Sequence, residues 1–262
     1  MITILTPTYN RAHTLQRLFQ SLEAQTSKSF DWLVVDDGST DQTRALIADC
    51  AKSAGFAVTY VWQNNGGKHT ALNTGVQMAS SEWVLIVDSD DALVPNAIEC
   101  ISAHLKQYSS ASLVGLAYRR VFFNGALVGR PGDCDEALCL HPSEAGRRFK
   151  GDLAYLFRVD SFRRNLFPVV EGEKFVPELY VWNRLGDQGR ILYFPRIAIY
   201  QCEYMTDGYT ANFRNNLRSN PSGFGLFYRD QFRREPLGIQ KLKCAIRAAQ
   251  CFWYQTMRRR RA

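Results

Sequence analysis

The apolar positions of the first hundred residues switch period several times. Ile2 to Thr6 is a short β-rich run. Leu15, Leu18, Phe19 and Leu22 then recur at helical spacing, behind Asn10, whose side chain can cap that helix. Asp31 to Asp36 is a second strand, apolar until it ends in acid. Ser39 and Gln42 read as a capping box that opens the next helix. Val58 to Trp62 is a third strand, Asn64 to Gly67 a turn, and Lys68 to Met78 a helix. Trp83 to Val87 is a fourth strand that stops at Asp88-Ser89-Asp90-Asp91, and Pro95 starts a further helix. Near-continuous apolar strands separated by amphipathic helices predict an α/β fold with a mostly parallel sheet covered on both faces. In such sheets ligands sit beyond the carboxyl ends of the strands. The polar clusters Thr6 to Asn10, Asp36 to Ser39 and Asp88 to Asp91 all fall there.

The second half is less regular. Ser112 to Val128 reads as a hairpin-like region turning at Asn124-Gly125, and Gly129 to Lys150 as a loop. Leu153 to Val159 reads as a strand, and Glu178 to Leu185 as a helix start after Pro177. Beyond Pro221 the pattern is helical. Leu237 to Met257 can form an amphipathic helix with Leu242, Ile246, Ala249 and Trp253 on one side.

Composition narrows the class. A chain of 262 residues, 46% hydrophobic, suits one large domain or a domain with an appendage. No apolar run is long enough for a membrane-spanning helix. Met1 to Pro7 lacks the basic start and apolar segment of a secretory signal and reads as a strand. The seven cysteines are odd in number and irregular in spacing, with no C-x-x-C, which argues against a disulfide framework or a zinc site. Reduced thiols in a cytoplasmic setting are the simplest account. The net charge of +7 gathers toward the end, at Arg233-Arg234, Lys241, Lys243, Arg247 and Arg258 to Arg261. Nucleic acid, an anionic membrane surface or an acidic substrate would each suit it. No nucleic-acid-binding motif appears, and such a protein has no use for three acids at a strand end.

Asp88, Asp90 and Asp91 repel one another, so something positive should compensate. Mg²⁺ or Mn²⁺, which takes oxygen ligands and bridges carboxylates to phosphates, is one answer. A solvated acidic turn capping the Pro95 helix is the other. Asp37 could accept from a uracil ring N–H, Tyr9 could stack on the base, Pro7 gives a rigid wall and Gly38 a close backbone approach; ordinary turn chemistry competes with that reading. Asn65-Gly66-Gly67-Lys68 leads into a helix N-terminus, an arrangement suited to anions, with Lys68 adding a point charge. His69 is a phosphate donor or a helix-surface residue.

Together these pieces resemble glycosyltransferase family 2 with a GT-A fold. They are Thr6-Pro7-Thr8-Tyr9-Asn10, Val34 to Asp41, Asn65-Gly66-Gly67-Lys68 through Asn73-Thr74-Gly75, and Asp88-Ser89-Asp90-Asp91. The match is strong over about the first 110 residues and looser to about residue 230. The resemblance implies a Rossmann-like, mostly parallel central sheet flanked by helices with a C-terminal helical extension. It divides residues 1–235 into a nucleotide-binding half, 1–110, and an acceptor-binding half, 111–235, followed by a basic amphipathic tail, 236–262. It implies a metal-dependent, inverting transfer from a nucleotide-diphosphate sugar, UDP-sugar favoured, with Mn²⁺ or Mg²⁺. It assigns Asp37 to the base, Asp88 to the ribose side and Asp90 to the metal, with Asp88 beside it. Thr6, Pro7, Tyr9, Gly67, Lys68, Asn73, Ser89 and Asp152 complete the donor site.

Inverting members use one carboxylate as general base. Pro177-Glu178 before Trp182-Asn183-Arg184 puts Glu178 at that position, with Glu171 and Glu173 as rivals and a plain helix-start glutamate as the bland reading. Where the family has an acid pair, this chain has one. The late histidine of many relatives is also missing, and Glu203 or Asp207 stands near its place. The segments Glu171 to Glu178 and Glu203 to Thr210 look like bacterial enzymes of capsule, exopolysaccharide or lipopolysaccharide synthesis. That implies a glycan acceptor on a polyprenyl diphosphate and a cytoplasmic protein peripheral on the inner face of the plasma membrane. The basic end, with Phe252, Trp253 and Tyr254, suits an anionic leaflet or forms a solvated helix with a frayed tail. A catalytically inactive nucleotide-sugar-binding or scaffold protein is the alternative to an enzyme. A nucleotidyltransferase would show a glycine-rich loop after the first strand, and Thr6 to Asn10 has no glycine.

Overall fold

The structure, a computed structural model, describes residues 1–203 and 212–259. Asp207, the Tyr204 to Thr210 part of the later segment, and the end of the arginine tail lie outside the described residues. In chain order the elements begin β1 (Ile2–Thr8), α1 (Ala12–Glu23), β2 (Phe30–Asp36), α2 (Thr43–Ser53), β3 (Ala57–Trp62) and α3 (Lys68–Met78). They continue with β4 (Trp83–Ile86), β5 (Ala92–Leu93), α4 (Ala97–Gln107), β6 (Leu113–Phe122), β7 (Leu138–Cys139), α5 (Pro142–Phe149), β8 (Leu153–Arg158) and α6 (Val159–Arg163). The last are α7 (Leu179–Gly186), β9 (Arg190–Cys202), α8 (Phe213–Ser219), α9 (Pro221–Arg234) and α10 (Ile239–Arg259).

One sheet runs β3-β2-β1-β4-β8-β6-β9-β5, with β7 also on β9. The first four strands are parallel. β8 is antiparallel to both β4 and β6, β9 is parallel to β6, and β5 and β7 are antiparallel to β9. The sheet is covered on both faces, as the apolar strands require. Ile4, Trp32 and Val34 enter one core with residues of α1, α2 and α4; Leu5, Leu33 and Val35 enter the other with α3, α5, α6 and α7. Neighbouring residues pointing to opposite cores is the period-two signature of a strand buried on both sides. Trp32, fully buried, donates its indole N–H to Thr6 Oγ1 at 3.0 Å, which cross-ties β1 and β2.

The two helix caps expected from the sequence are not made. Asn10 sits at φ 53°, and its side-chain oxygen accepts from Thr40 N at 2.8 Å. Ser39 donates its N–H to Asp36 Oδ1 and accepts at Oγ from Asn10 N, both at 2.8 Å. Asp41 does the capping instead: it accepts from Thr43 N at the start of α2 (3.0 Å) and from Ala12 N at the start of α1 (3.1 Å). One carboxylate at two helix N-termini outcompetes the amide and hydroxyl. The Gly129 to Lys150 stretch is not a plain loop either. It contains β7 and α5, whose helix ends at Lys150 in the left-handed conformation, φ 48°.

Candidate active site

The strand ends and the second half enclose one cleft of about 1430 Å³. Its lining includes Pro7, Tyr9, Asp37, Gly67, Lys68, Asp88, Ser89, Asp90, Asp152 and Glu178. Thr6 and Asn73 are not among the lining residues. Thr6 is fully buried under Trp32, and Asn73 closes a two-way hydrogen bond with the Phe167 backbone at 2.8 and 2.9 Å.

Asp37, at the end of β2, is buried. Its Oδ1 accepts from Gln63 Nε2 (2.7 Å) and Gly66 N (2.9 Å), and its Oδ2 accepts from Gly67 N (2.7 Å). The carboxylate therefore fixes the glycine turn that opens α3. Gly67 needs to be glycine twice over. Its φ is 95°, and a Cβ there would lie 1.9 Å from Lys174 O. The Asn65-Gly66-Gly67 turn thus lies directly against the segment leading to Glu178. Exposed Tyr9 stands at the cleft edge.

Lys68 is the first residue of α3, and its Nζ lies 2.6 Å from Asp88 Oδ1 and 2.7 Å from Glu178 Oε1. Burial pulls its pKa down, but the two carboxylates more than reverse this and leave the ammonium strongly held. Asp88 balances the same way. Burial disfavours its charge, Lys68 and Arg120 favour it, and the pKa ends below the usual value. For Asp90 and Asp91 the balance falls the other way, the nearby cations being outweighed. Burial, then the Asp88 charge, raises the Asp90 pKa and pushes that of Asp91 up to about 7.

Behind the acids stands a pair that the sequence reading missed. Tyr200 of β9 donates to Asp91 Oδ2 (2.8 Å) and accepts from Asp88 N (2.9 Å). The Arg120 guanidinium stacks 4.1 Å over the Tyr200 ring and lies 3.7 Å from Asp91 and 3.9 Å from Asp88. A signal was present: Arg119-Arg120 interrupts an otherwise apolar strand, so one arginine must enter each face. Arg119 turns into the core, donates to Val128 O (2.8 Å) and Pro195 O (3.2 Å), and stacks over Phe149. Arg17 of α1 was also missed; it donates to Asp90 O and pairs with Glu203 at 2.7 Å.

Of the three candidate bases, Glu178 alone lines the cleft. Glu173 is buried, and its carboxylate accepts from Ser222 N and Gly223 N at the start of α9, each at 2.9 Å. Among the described residues no three His, Cys, Asp or Glu side chains converge as a ready-made metal cage. Asp90 and Asp88 could still hold a divalent cation. Asp91 Oδ1 is buried without a partner, and the crowded acids carry raised pKa values that an added cation would relieve. One or two carboxylates completed by phosphate and water is the habit of Mg²⁺. His69 is not on the helix surface: it is buried, edge-on to Phe167 at 6.4 Å.

A sequence model of Glycosyl transferase family 2 matches residues 3–142, more than half of the chain. The protein belongs to glycosyl transferase family 2. The glycosyltransferase GlyA of Streptococcus pneumoniae serotype 4 is 32% identical over 117 residues, 45% of this chain. The chain spans only 17% of that protein's length. Two solved structures share the GT-A fold. Staphylococcus aureus TarS 1–349 in complex with UDP superposes with a TM-score of 0.67 at 20% identity, covering 96% of this chain and 70% of that one. The mannosyltransferase PcManGT of Pyrobaculum calidifontis, in complex with GDP-Man and Mn²⁺, gives 0.59 at 19% identity, covering 96% and 69%. The likeness to these two structures is one of fold.

Proposed function

We propose that the protein is an inverting glycosyltransferase that moves a sugar from a nucleoside-diphosphate sugar to a glycan hydroxyl. The observation that carries this is the convergence of two carboxylates from different halves of the chain, Asp88 and Glu178, on the single Lys68 ammonium across one cleft. The nucleotide lies in the 1–110 half, against Pro7, Tyr9 and Asp37. The favoured base is uracil, its ring N–H assigned to Asp37, which lines the cleft and orders the glycine turn through three hydrogen bonds. Asp90, with Asp88, would hold Mn²⁺ or Mg²⁺, which neutralises the diphosphate as it leaves. TarS bound to UDP and PcManGT bound to GDP-Man and Mn²⁺ support a donor and metal of these classes.

Glu178 accepts the proton of the acceptor hydroxyl as that oxygen forms its bond to the anomeric carbon. The bond from that carbon to the diphosphate breaks, and the nucleoside diphosphate departs with the electron pair. Asp152 and Arg120 face the sugar between the two halves. The acceptor enters through the 111–235 half and is a bacterial surface polysaccharide precursor carried on a polyprenyl diphosphate. No helix among the described residues is long and apolar enough to cross a membrane.

Hydrolysis of UDP-, GDP- and dTDP-sugars, with and without Mn²⁺ or Mg²⁺, tests the donor site. One nucleotide should be released in a metal-dependent way, and Asp90→Ala should remove that release. Glu178→Gln should bind the same donor and lose transfer by about 10²–10⁴-fold, the usual contribution of a general base. Donor binding without turnover in the wild type would leave a nucleotide-sugar-binding protein. No binding would sink the reading.

A further inference from the structure

Helix α10 faces the wrong way for a helix of a globular core. Its apolar stripe, Ile239, Leu242, Ile246, Ala249, Trp253 and Met257, recurs at steps of three and four residues. Every member of that stripe is exposed: Ile239 by 73%, Leu242 by 61%, Ile246 by 59% and Trp253 by 53%. Phe252 beside the stripe is 64% exposed, and Leu237 at the elbow before it 93%. The opposite side does the packing. There Cys251 is fully buried with Phe224 and Leu217, and Tyr254 lies against the same cluster. Gly225 lets α9 approach closely at Cys251. The outward stripe is therefore surplus to the fold.

The charge on this helix has one sign. Lys241, Lys243, Arg247, Arg258 and Arg259 lie along its 21 residues, and there is no Asp or Glu. Arg260 and Arg261 follow in the sequence. A second copy of the chain would bring like charges together along the seam. An anionic surface attracts a helix of this charge, with roughly 1 kcal/mol contributed by each basic residue that comes near it, while Arg247 and Arg258 are turned to the packed side. Lying flat, an apolar stripe sinks into the headgroup boundary while lysine and arginine stems reach the phosphates. A tryptophan on the outward stripe suits that depth.

The geometry points to α10 as an interfacial helix that seats the protein on an anionic lipid bilayer, stripe inward. The seat is tied to the cleft. Arg258 donates to Gly172 O (2.9 Å) and Ser219 O (3.3 Å) and lies 3.8 Å from Glu173. Gly172 and Glu173 open the segment that carries Glu178. The inference about docking stands on the helix alone and does not depend on the transfer reaction.

Co-sedimentation of the full chain with phosphatidylglycerol–phosphatidylcholine vesicles and with pure phosphatidylcholine vesicles tests it. Binding should be at least about tenfold stronger to the anionic vesicles, weaken with salt, and fall by about tenfold or more in Leu242→Asp/Trp253→Asp. Both changes are at exposed positions, so thermal unfolding should match the wild type. Equal sedimentation with both vesicles, or none, overturns the inference whatever the variant does. So does a wild-type dimer in size-exclusion light scattering that the double variant dissociates, because the stripe would then be covered by a second copy. Donor hydrolysis measured without vesicles should be unchanged in the variant, which separates failure of docking from failure of the transfer reading.

Discussion

The two walls of the cleft are held by different kinds of bond. The wall proposed for the donor is the carboxyl end of β1, β2 and β4. Its ties are buried or half-buried and fix the strand ends to their neighbours: Trp32 to Thr6, Asp37 with three donors of the 63–67 turn, Tyr200 between Asp88 and Asp91. The wall proposed for the acceptor is the 172–178 segment and the start of α7. It hangs on caps, with Glu173 on the N-terminus of α9 and Asn220 Oδ1 accepting from Lys174 N at 2.7 Å. The first wall is preorganised by the sheet. The second is registered against helices. They meet at the Lys68–Glu178 ion pair, at the approach of Gly67 to Lys174, and where Lys174 Nζ donates to Asn65 Oδ1 at 2.5 Å.

Gly67→Ala strikes both walls at once, because Gly67 lies where they meet. The φ of 95° alone costs about 1–3 kcal/mol in a residue with a Cβ, and the collision with Lys174 O adds to it. Calorimetry should show a lower Tm, and donor affinity and transfer rate should fall together. Glu173→Ala should separate the walls. It uncaps the backbone N–H groups of Ser222 and Gly223 at a cost of about 1–2 kcal/mol, raises the acceptor KM and leaves nucleotide affinity alone. Parallel donor titrations and acceptor kinetics check this; an equal loss in both would mean the walls move as one.

His69→Gln is the mildest probe. Burial holds the His69 pKa below 6.5, so the folded state binds fewer protons than the unfolded chain in acid. Stability is therefore full above about pH 6.5 and is lost as pH falls. The variant's Tm should decline less between pH 7 and pH 5 than the wild type's, and an identical slope would rule out His69 as the source.

The donor wall was largely legible in the sequence. β1 to β4 and α3 announce themselves through local apolar runs bounded by turn residues, and the acids at Asp88 to Asp91 stand out at a strand end. Caps were misread because side chains compete: Asp41 took both helix starts, and no rule of spacing ranks it over Asn10 and Ser39. β9 went unseen because Pro195 and Arg196 interrupt its pattern, and its pairing with β6 shifts register at Arg119. Arg120 and Tyr200 meet the acids only through that pairing, so their role appears once residues far apart in sequence are neighbours in space. Glu178 was placed by resemblance to the family; its ion pair with Lys68 depends on contact across the cleft.

The order of strands in the sheet also bears on how the chain leaves the ribosome. β4, which carries the acidic end, is synthesised well before β8, its partner on the far side. At about 5–20 residues per second, β4 waits several seconds with an open, wholly apolar edge. The nascent protein is exposed to sticking during that interval, and a chain released before Arg158 should sediment as aggregate more than the 262-residue chain does.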